Sequence, residues 1–177
     1  MRFKIEELIS NLQKFATETE ALFEIAFAEV CGKNFSTLVE LAAQKTQKLI
    51  GAERITLFLN KKEKLRSVIA QGLNEESVLE KNQGIAGFVF ETQKVYFTND
   101  ASQDPRHFSI ATKYGYEVKN ILACPLSYKG KKIGVIEAIN KKSGFSDKDI
   151  PVFEKIANTV AAVIYRETVR NQPSNSK

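Results

Sequence analysis

Apolar residues recur at three- and four-residue spacing from residue 3 to about residue 31. Leu8, Leu12, Phe15, Leu22, Ile25 and Ala26 carry this stripe, no Pro or Gly interrupts it, and one long helix is predicted. Phe23, Phe27 and Val30 make the stripe wider than a two-stranded seam needs. Gly32 is placed to stop this helix and Asn34 to cap the next, which runs from about Phe35 to Leu49 with Leu38, Val39, Leu41, Ala42 and Ala43 inward. After Gly51 the period falls to two. Ile55, Leu57 and Leu59 alternate with Thr56, Phe58 and Asn60, which predicts a strand. Lys61 to Lys64 form a turn, and Leu65 to Gln71 return as the second strand of an antiparallel hairpin.

The middle of the chain is less regular. A short strand is expected over 77–80 and a short helix beginning near Gly84. Another strand follows over Val95 to Thr98, then a polar loop over Asn99 to Arg106 punctuated by Asp104-Pro105. Phe108 to Tyr114 have the composition of one or two helical turns ending at Gly115. Asn120 to Tyr128 and Lys132 to Asn140 form a second hairpin around Lys129-Gly130. The returning strand is apolar on both faces through Ile133, Val135, Ile136, Ala138 and Ile139, so it is expected at the centre of the sheet. Ser146, with Asp149 three residues on, is placed to cap a final helix carrying Val152, Phe153, Ile156, Ala157, Val160, Val163 and Ile164.

This order predicts an α+β fold: a central antiparallel sheet of about six strands, long helices on one face, and short helices and loops forming a pocket on the other. Three segments follow: an N-terminal helix over 1–31, a globular domain over 32–168, and a polar tail over 169–177.

Composition narrows the function. The chain has 177 residues, 43% hydrophobic and 27% charged, which fits one ordinary soluble domain. No stretch approaches the roughly 20 apolar residues of a membrane span, and the charged N-terminus lacks a signal core, so a cytoplasmic protein without membrane contact is expected. The net charge of +5 sits in clusters at turns: Lys61-Lys62-Glu63-Lys64, Lys129-Gly130-Lys131-Lys132 and Lys141-Lys142. Neither a reading helix nor stacking aromatics accompany them, so nucleic acid is not an expected partner. Cys31, Cys124 and the single His107 cannot close a zinc site, and no metal is expected. Both thiols are expected free.

Several side chains have two open readings. Asn99, Asp100, Asp104 and Arg106 suit the mouth of a pocket, but also simple turn construction. The amides after Gly84 can hold an anion, or the glycines can serve close packing. Glu137 interrupts an apolar strand and must find a partner, either a ligand donor or a lysine at the sheet edge. His107 is expected in solvent. Phe58, Phe88, Phe90, Phe97 and Phe108 can stack on a planar ligand or belong to the core.

Four groups of residues resemble the GAF domain over roughly residues 35 to 168. They are Gly84-Ile85-Ala86-Gly87 with Val89 and Glu91-Thr92; Asn99-Asp100 with Asp104-Pro105-Arg106; Asn120-Ile121-Leu122 with Pro125-Leu126; and Ile133-Gly134-Val135-Ile136 leading to Asn140-Lys141, Phe145 and Asp149. The last group is similar to a signature of cyclic-nucleotide-binding members in phosphodiesterases and bacterial adenylyl cyclases, with Ile150 in place of its final acidic residue. Ala111 and Val118 stand where such members often carry Asp and Thr.

The resemblance implies a non-catalytic sensory module that binds a small molecule, with cAMP or cGMP as candidate ligands and no other cofactor. It implies a pocket lined by Phe58, Ile85, Ala86, Phe97, Asn99, Asp100, Asp104, Phe108, Tyr114, Ala123 and Glu137. Asn140, Lys141, Phe145 and Asp149 would support it, with Lys141 and Asp149 as an ion pair. It also implies a homodimer through the N- and C-terminal helices, signalling to an output domain or partner protein. The alternative is a ligand-free dimerisation or protein-interaction module. One enzyme class of this fold reduces free methionine sulfoxide with several pocket cysteines; Cys31 and Cys124 make an incomplete set, so no enzyme activity is expected.

Overall fold

The computed structural model describes residues 2–70, 76–108 and 116–170. Helix α1 spans Arg2–Val30 and α2 spans Phe35–Ile50. The Asn34 side chain accepts the Thr37 N–H at 2.9 Å, and Gly51 takes the left-handed conformation while donating to the Gln47 carbonyl. These two residues set the ends of α2 as capping chemistry requires.

Among the described residues six strands follow, interrupted by one further α-helix: β1 Ala52–Lys61, β2 Lys64–Ala70, β3 Val78–Glu80, α3 Gly84–Thr92, β4 Tyr96–Thr98, β5 Ile121–Tyr128 and β6 Lys131–Lys141. They form one antiparallel sheet in the order β3-β2-β1-β6-β5-β4. The doubly apolar β6 and the alternating β1 are therefore the central pair. Gly134 makes that pairing possible, because a Cβ there would lie 1.9 Å from the Phe58 carbonyl oxygen.

Alternation sorts the strands into two faces. Ile55, Leu57 and Leu59 of β1, Leu122, Cys124 and Leu126 of β5, and Ile136 and Ala138 of β6 pack on the long helices. Phe58, Ile121, Ala123, Val135 and Ile139 form a second core beneath α3.

The last helix, α4, spans Ile150–Arg170. It begins three residues later than the Ser146 cap predicts. Residues 146–149 form a turn closed by the Asp149 N–H on the Ser146 carbonyl at 2.9 Å, and the Asp149 carboxylate accepts the Ser146 N–H at 3.0 Å. Pro151 then sits in the first helical turn, where a missing N–H costs nothing.

Helices α1 and α4 run parallel, joined by Glu18 with Lys155 at 3.7 Å and by Glu29 with Arg166 at 2.5 Å. Residues 4–17 of α1 are exposed throughout. Among the described residues, no helix is long and apolar enough to cross a membrane.

Candidate functional site

The same alternation that buries Ile55 and Leu57 against the helices turns Thr56 and Phe58 to the opposite face. On that face Glu137 and Ile139 of β6, Ile121 of β5, and Ile85 and Ala86 of α3 meet them. Together with Ser77, Leu79, Gly84, His107, Phe108 and Val118 they enclose a cavity of about 60 Å³.

Glu137 is the chemically distinctive wall residue. It is 8% exposed and borders the cavity. Among the described residues its carboxyl has no hydrogen-bond or ion-pair partner; a sheet-edge lysine, the second reading open from the sequence, does not reach it. Burial pushes its carboxyl up to about 7, because a charge removed from water is disfavoured. Thr56 is its direct neighbour across the β1–β6 ladder and Ala123 its neighbour across β5–β6. Opposed residues on one face bring their side chains together, so the Thr56 hydroxyl and the Glu137 carboxyl share the cavity floor. The remaining surface is mostly apolar, which strengthens any hydrogen bond made inside it.

Of the residues expected from the sequence, Phe58, Ile85, Ala86, Phe108 and Glu137 line the cavity, with Phe108 half-exposed at its lip. Ala123 is buried beneath the floor. Phe97 packs with the helix-side core. Asn99 holds the chain together: its amide donates to the Phe145 carbonyl at 2.9 Å and accepts the Phe145 N–H at 2.7 Å. Asp100 caps a short 3-10 turn, accepting from Ser102 Oγ at 2.7 Å and Gln103 N at 3.3 Å. Asp104 accepts from the Tyr96 hydroxyl at 2.5 Å and the Arg106 N–H at 2.9 Å. Burial pushes the Asp104 carboxyl up, but the bonds from Tyr96 and Arg106 outweigh it and hold the group below the usual carboxylate range. Asn99, Asp100 and Asp104 thus follow the turn-building reading rather than forming the cavity wall. Tyr114 and Ala111 lie outside the described residues.

His107, expected in solvent, is half-buried on the cavity wall, because its N–H closes a turn on the Asp104 carbonyl at 2.9 Å and brings it back beneath Gly84. Burial lowers its pKa, opposed by the nearby Asp104 charge. Thr56 and Ser77 were also missed; for Thr56 the signal existed, since it alternates with Ile55 and Leu57. Gly84 and Gly87 serve geometry: Gly84 has φ +74°, and a Cβ on Gly87 would lie 2.6 Å from the Asn82 carbonyl carbon.

A polar staple closes the far end of β6. The Asn140 amide accepts the Lys119 N–H at 2.8 Å and donates to the Glu117 carbonyl at 2.8 Å and the Tyr116 hydroxyl at 3.0 Å. Burial and the acceptor Glu53 push Tyr116 up to about 12. Lys141 pairs with Asp149 at 2.5 Å, and Phe145 is buried on the helix side. These residues join a strand end to a helix start and leave the cavity wall to others.

Neither thiol reaches the cavity. Cys124 faces the long helices and Cys31 is exposed after α1.

Comparison with known proteins matches this architecture. The sequence profile of the GAF domain family matches residues 34–164. A cGMP-specific 3',5'-cyclic phosphodiesterase of Drosophila sechellia is 32% identical over 102 residues, which are 55% of this chain and 8% of that enzyme. The chain thus spans under a tenth of the length of that relative. The GAF domain from a phosphoenolpyruvate-protein phosphotransferase of Coxiella burnetii superposes with a TM-score of 0.77 at 19% identity, covering 88% of this chain and 96% of that one. The free methionine-R-sulfoxide reductase of Neisseria meningitidis, in complex with its substrate, superposes with a TM-score of 0.71 at 16% identity, covering 86% and 91%. At these identities the two structures establish the shared fold.

Proposed function

The chain belongs to the GAF domain family, and on that premise we propose that it is a regulatory module that binds a small ligand beneath α3 and signals through paired terminal helices. One observation carries the ligand: Glu137 is buried at the cavity wall with no partner among the described residues. A buried carboxyl without a donor is costly, and a ligand N–H or O–H group removes that cost. The ligand class is therefore a compact molecule with an apolar body that presents hydrogen-bond donors to Glu137 and Thr56. Cyclic nucleotides are the first candidates, because the purine edge carries such donors and a cGMP-specific phosphodiesterase is among the relatives. The cavity of about 60 Å³ is small beside the roughly 300–1,000 Å³ of ordinary ligand sites, so a nucleotide requires the wall to open.

The signalling half of the proposal rests on α1. Ile5, Leu8, Leu12 and Phe15 step by three, four and three residues along a fully exposed segment, with Leu12 60% and Phe15 64% exposed. Such a stripe is the pattern of a helix that pairs with a copy of itself.

Thermal unfolding with cAMP, cGMP and unrelated nucleotides tests the ligand. Ligand at about a hundred times its dissociation constant adds roughly 2.7 kcal/mol, or about 5–11 °C for a domain of this size. A shift with one cyclic nucleotide that vanishes in E137A supports the reading. No shift with any nucleotide retires that ligand class, and no shift with a broad panel of donor-bearing metabolites leaves a dimerisation module.

A further inference from the structure

A second surface lies at the opposite end of the sheet from the Lys141–Asp149 staple. There the ends of β1 and β6 meet the last two turns of α4. Leu59, Ile133, Ile164, Tyr165 and Val169 line a groove of about 230 Å³ between them. Val169 is 49% exposed, although it sits at the end of an otherwise buried stripe. The groove is independent of the cavity, because it opens on the helix-side face.

Its rim is basic. Lys61 and Lys131 line the groove directly, and Lys62 and Lys129 sit in the adjoining hairpin turns. Carboxylates neutralise the neighbouring cations: Lys64 pairs with Glu80, Lys81 with Glu63, Lys132 with Glu91, and Arg166 and Arg170 with Glu29 and Glu167. Lys61, Lys62, Lys129 and Lys131 make no ion pair among the described residues. Lys129 and Lys131 instead lie over the rings of Tyr128 and Tyr165, at 5.6 and 5.4 Å. Like charges gathered around an apolar floor repel one another and raise the local positive potential.

We propose that this groove docks an acidic, amphipathic segment of a partner protein, with one or two apolar side chains on Ile133, Ile164 and Val169 and carboxylates on the uncompensated lysines. Charge complementarity selects the partner class, since the excess positive charge and the apolar floor are satisfied together only by a segment carrying both. Two features disfavour nucleic acid and lipid. The rings of Tyr128 and Tyr165 pack on each other, tilted by 50°, with centroids 5.2 Å apart, and Lys129 and Lys131 lie over them, which leaves little open ring face for a base. The apolar floor is recessed between α4 and the strand ends, where a flat bilayer surface does not reach.

The test uses the full chain and a fluorescein-labelled helical peptide with leucine at every third and fourth position and glutamate elsewhere. A control peptide replaces every glutamate with glutamine. Fluorescence anisotropy is expected to show binding of the acidic peptide and at least about tenfold weaker binding of the control. The double variant K61E/K131E is expected to weaken the acidic peptide by about tenfold or more, and V169D to weaken both peptides, each variant keeping the parent circular dichroism and melting temperature. Peptide binding is measured without any nucleotide or other small ligand, which separates this outcome from any result on the cavity. Absence of acidic-peptide binding, equal binding by K61E/K131E, or tighter binding to a single-stranded oligonucleotide or to phosphatidylserine vesicles overturns the proposal.

Discussion

Replacing Glu137 with glutamine isolates the energetic effect of one buried carboxyl. The unfolded chain releases this proton near its ordinary value of 4.5, whereas burial in the native chain raises it to about 7. Below pH 4.5 both states hold the proton and the group contributes no difference. Between pH 4.5 and 7 the unfolded state loses the proton while the native state keeps it, so native stability falls as pH rises. Above pH 7 both states are ionised and the loss is complete. The interval of about 2.5 units corresponds to about 3 kcal/mol at 1.36 kcal/mol per unit. At about 2–4 °C per kcal/mol, that is about 6–12 °C in melting temperature.

Glu137→Gln keeps the shape and removes the titration. The assay is a pair of thermal melts, parent and E137Q, at pH 5 and at pH 8, both without ligand. Any fixed cost of burying the amide appears equally at both pH values, and the titration of every other group appears equally in both proteins, so both cancel in the change of the gap. The unfolded state is already mostly ionised at pH 5, so about 2.5 kcal/mol of the effect falls between the two pH values, and E137Q is expected to gain about 5–10 °C on the parent between pH 5 and pH 8. A gap that does not change with pH refutes the reasoning, because it would mean that the carboxyl is solvated or paired in the native chain.

Three further outcomes follow from the packing. Gly134→Ala forces a methyl to within 1.9 Å of the Phe58 carbonyl oxygen; backbone cannot yield as a side chain does, so a loss of about 3 kcal/mol is expected in urea unfolding, and an unchanged midpoint contradicts it. Cys124 is buried and its thiol is pushed up to about 12 by burial and by the nearby Glu154, whereas Cys31 is exposed; a thiol-reactive dye at pH 8 should label one cysteine in the native chain and two in denaturant, and rapid double labelling of native protein would show that β5 is accessible. Replacing both Leu8 and Leu12 with aspartate should convert a dimer to a monomer in analytical ultracentrifugation without lowering the melting temperature of the monomer, and an unchanged mass removes α1 from the subunit contact.

Much of the fold was legible because alternation leaves one physical solution. A strand with Ile55, Leu57 and Leu59 on one side must cover that side, and β6, apolar on both sides, must be interior. Asn34 and Gly51 were legible for the same reason, since capping chemistry is local. The cavity was legible only in part. Phe58 and Glu137 follow from strand parity, but Asn99, Asp100 and Asp104 offer the same oxygens to a turn as to a ligand. Which use wins depends on Phe145 and Tyr96, partners 46 and 8 residues away, and no local pattern encodes those distances. His107 was misplaced because a hydrogen bond to Asp104, not its own polarity, decides which way it faces. The start of α4 slipped because Ser146 and Asp149 bond each other in a turn that mimics a helix cap.

The exposed half of α1 also has a mechanical consequence. Among the described residues its side-chain ion pair to α4 nearest the N-terminal end is Glu18 with Lys155, and residues 4–17 extend beyond it. At 1.5 Å per residue that overhang is about 21 Å long, so a tilt of about 5° at its base carries the tip about 2 Å sideways. The overhang is therefore a lever that pivots where α1 first packs on the domain, at the Glu18–Lys155 pair and the buried Ala21, and a displacement too small to disturb the sheet becomes, at its far end, a shift large enough to change which side chains meet.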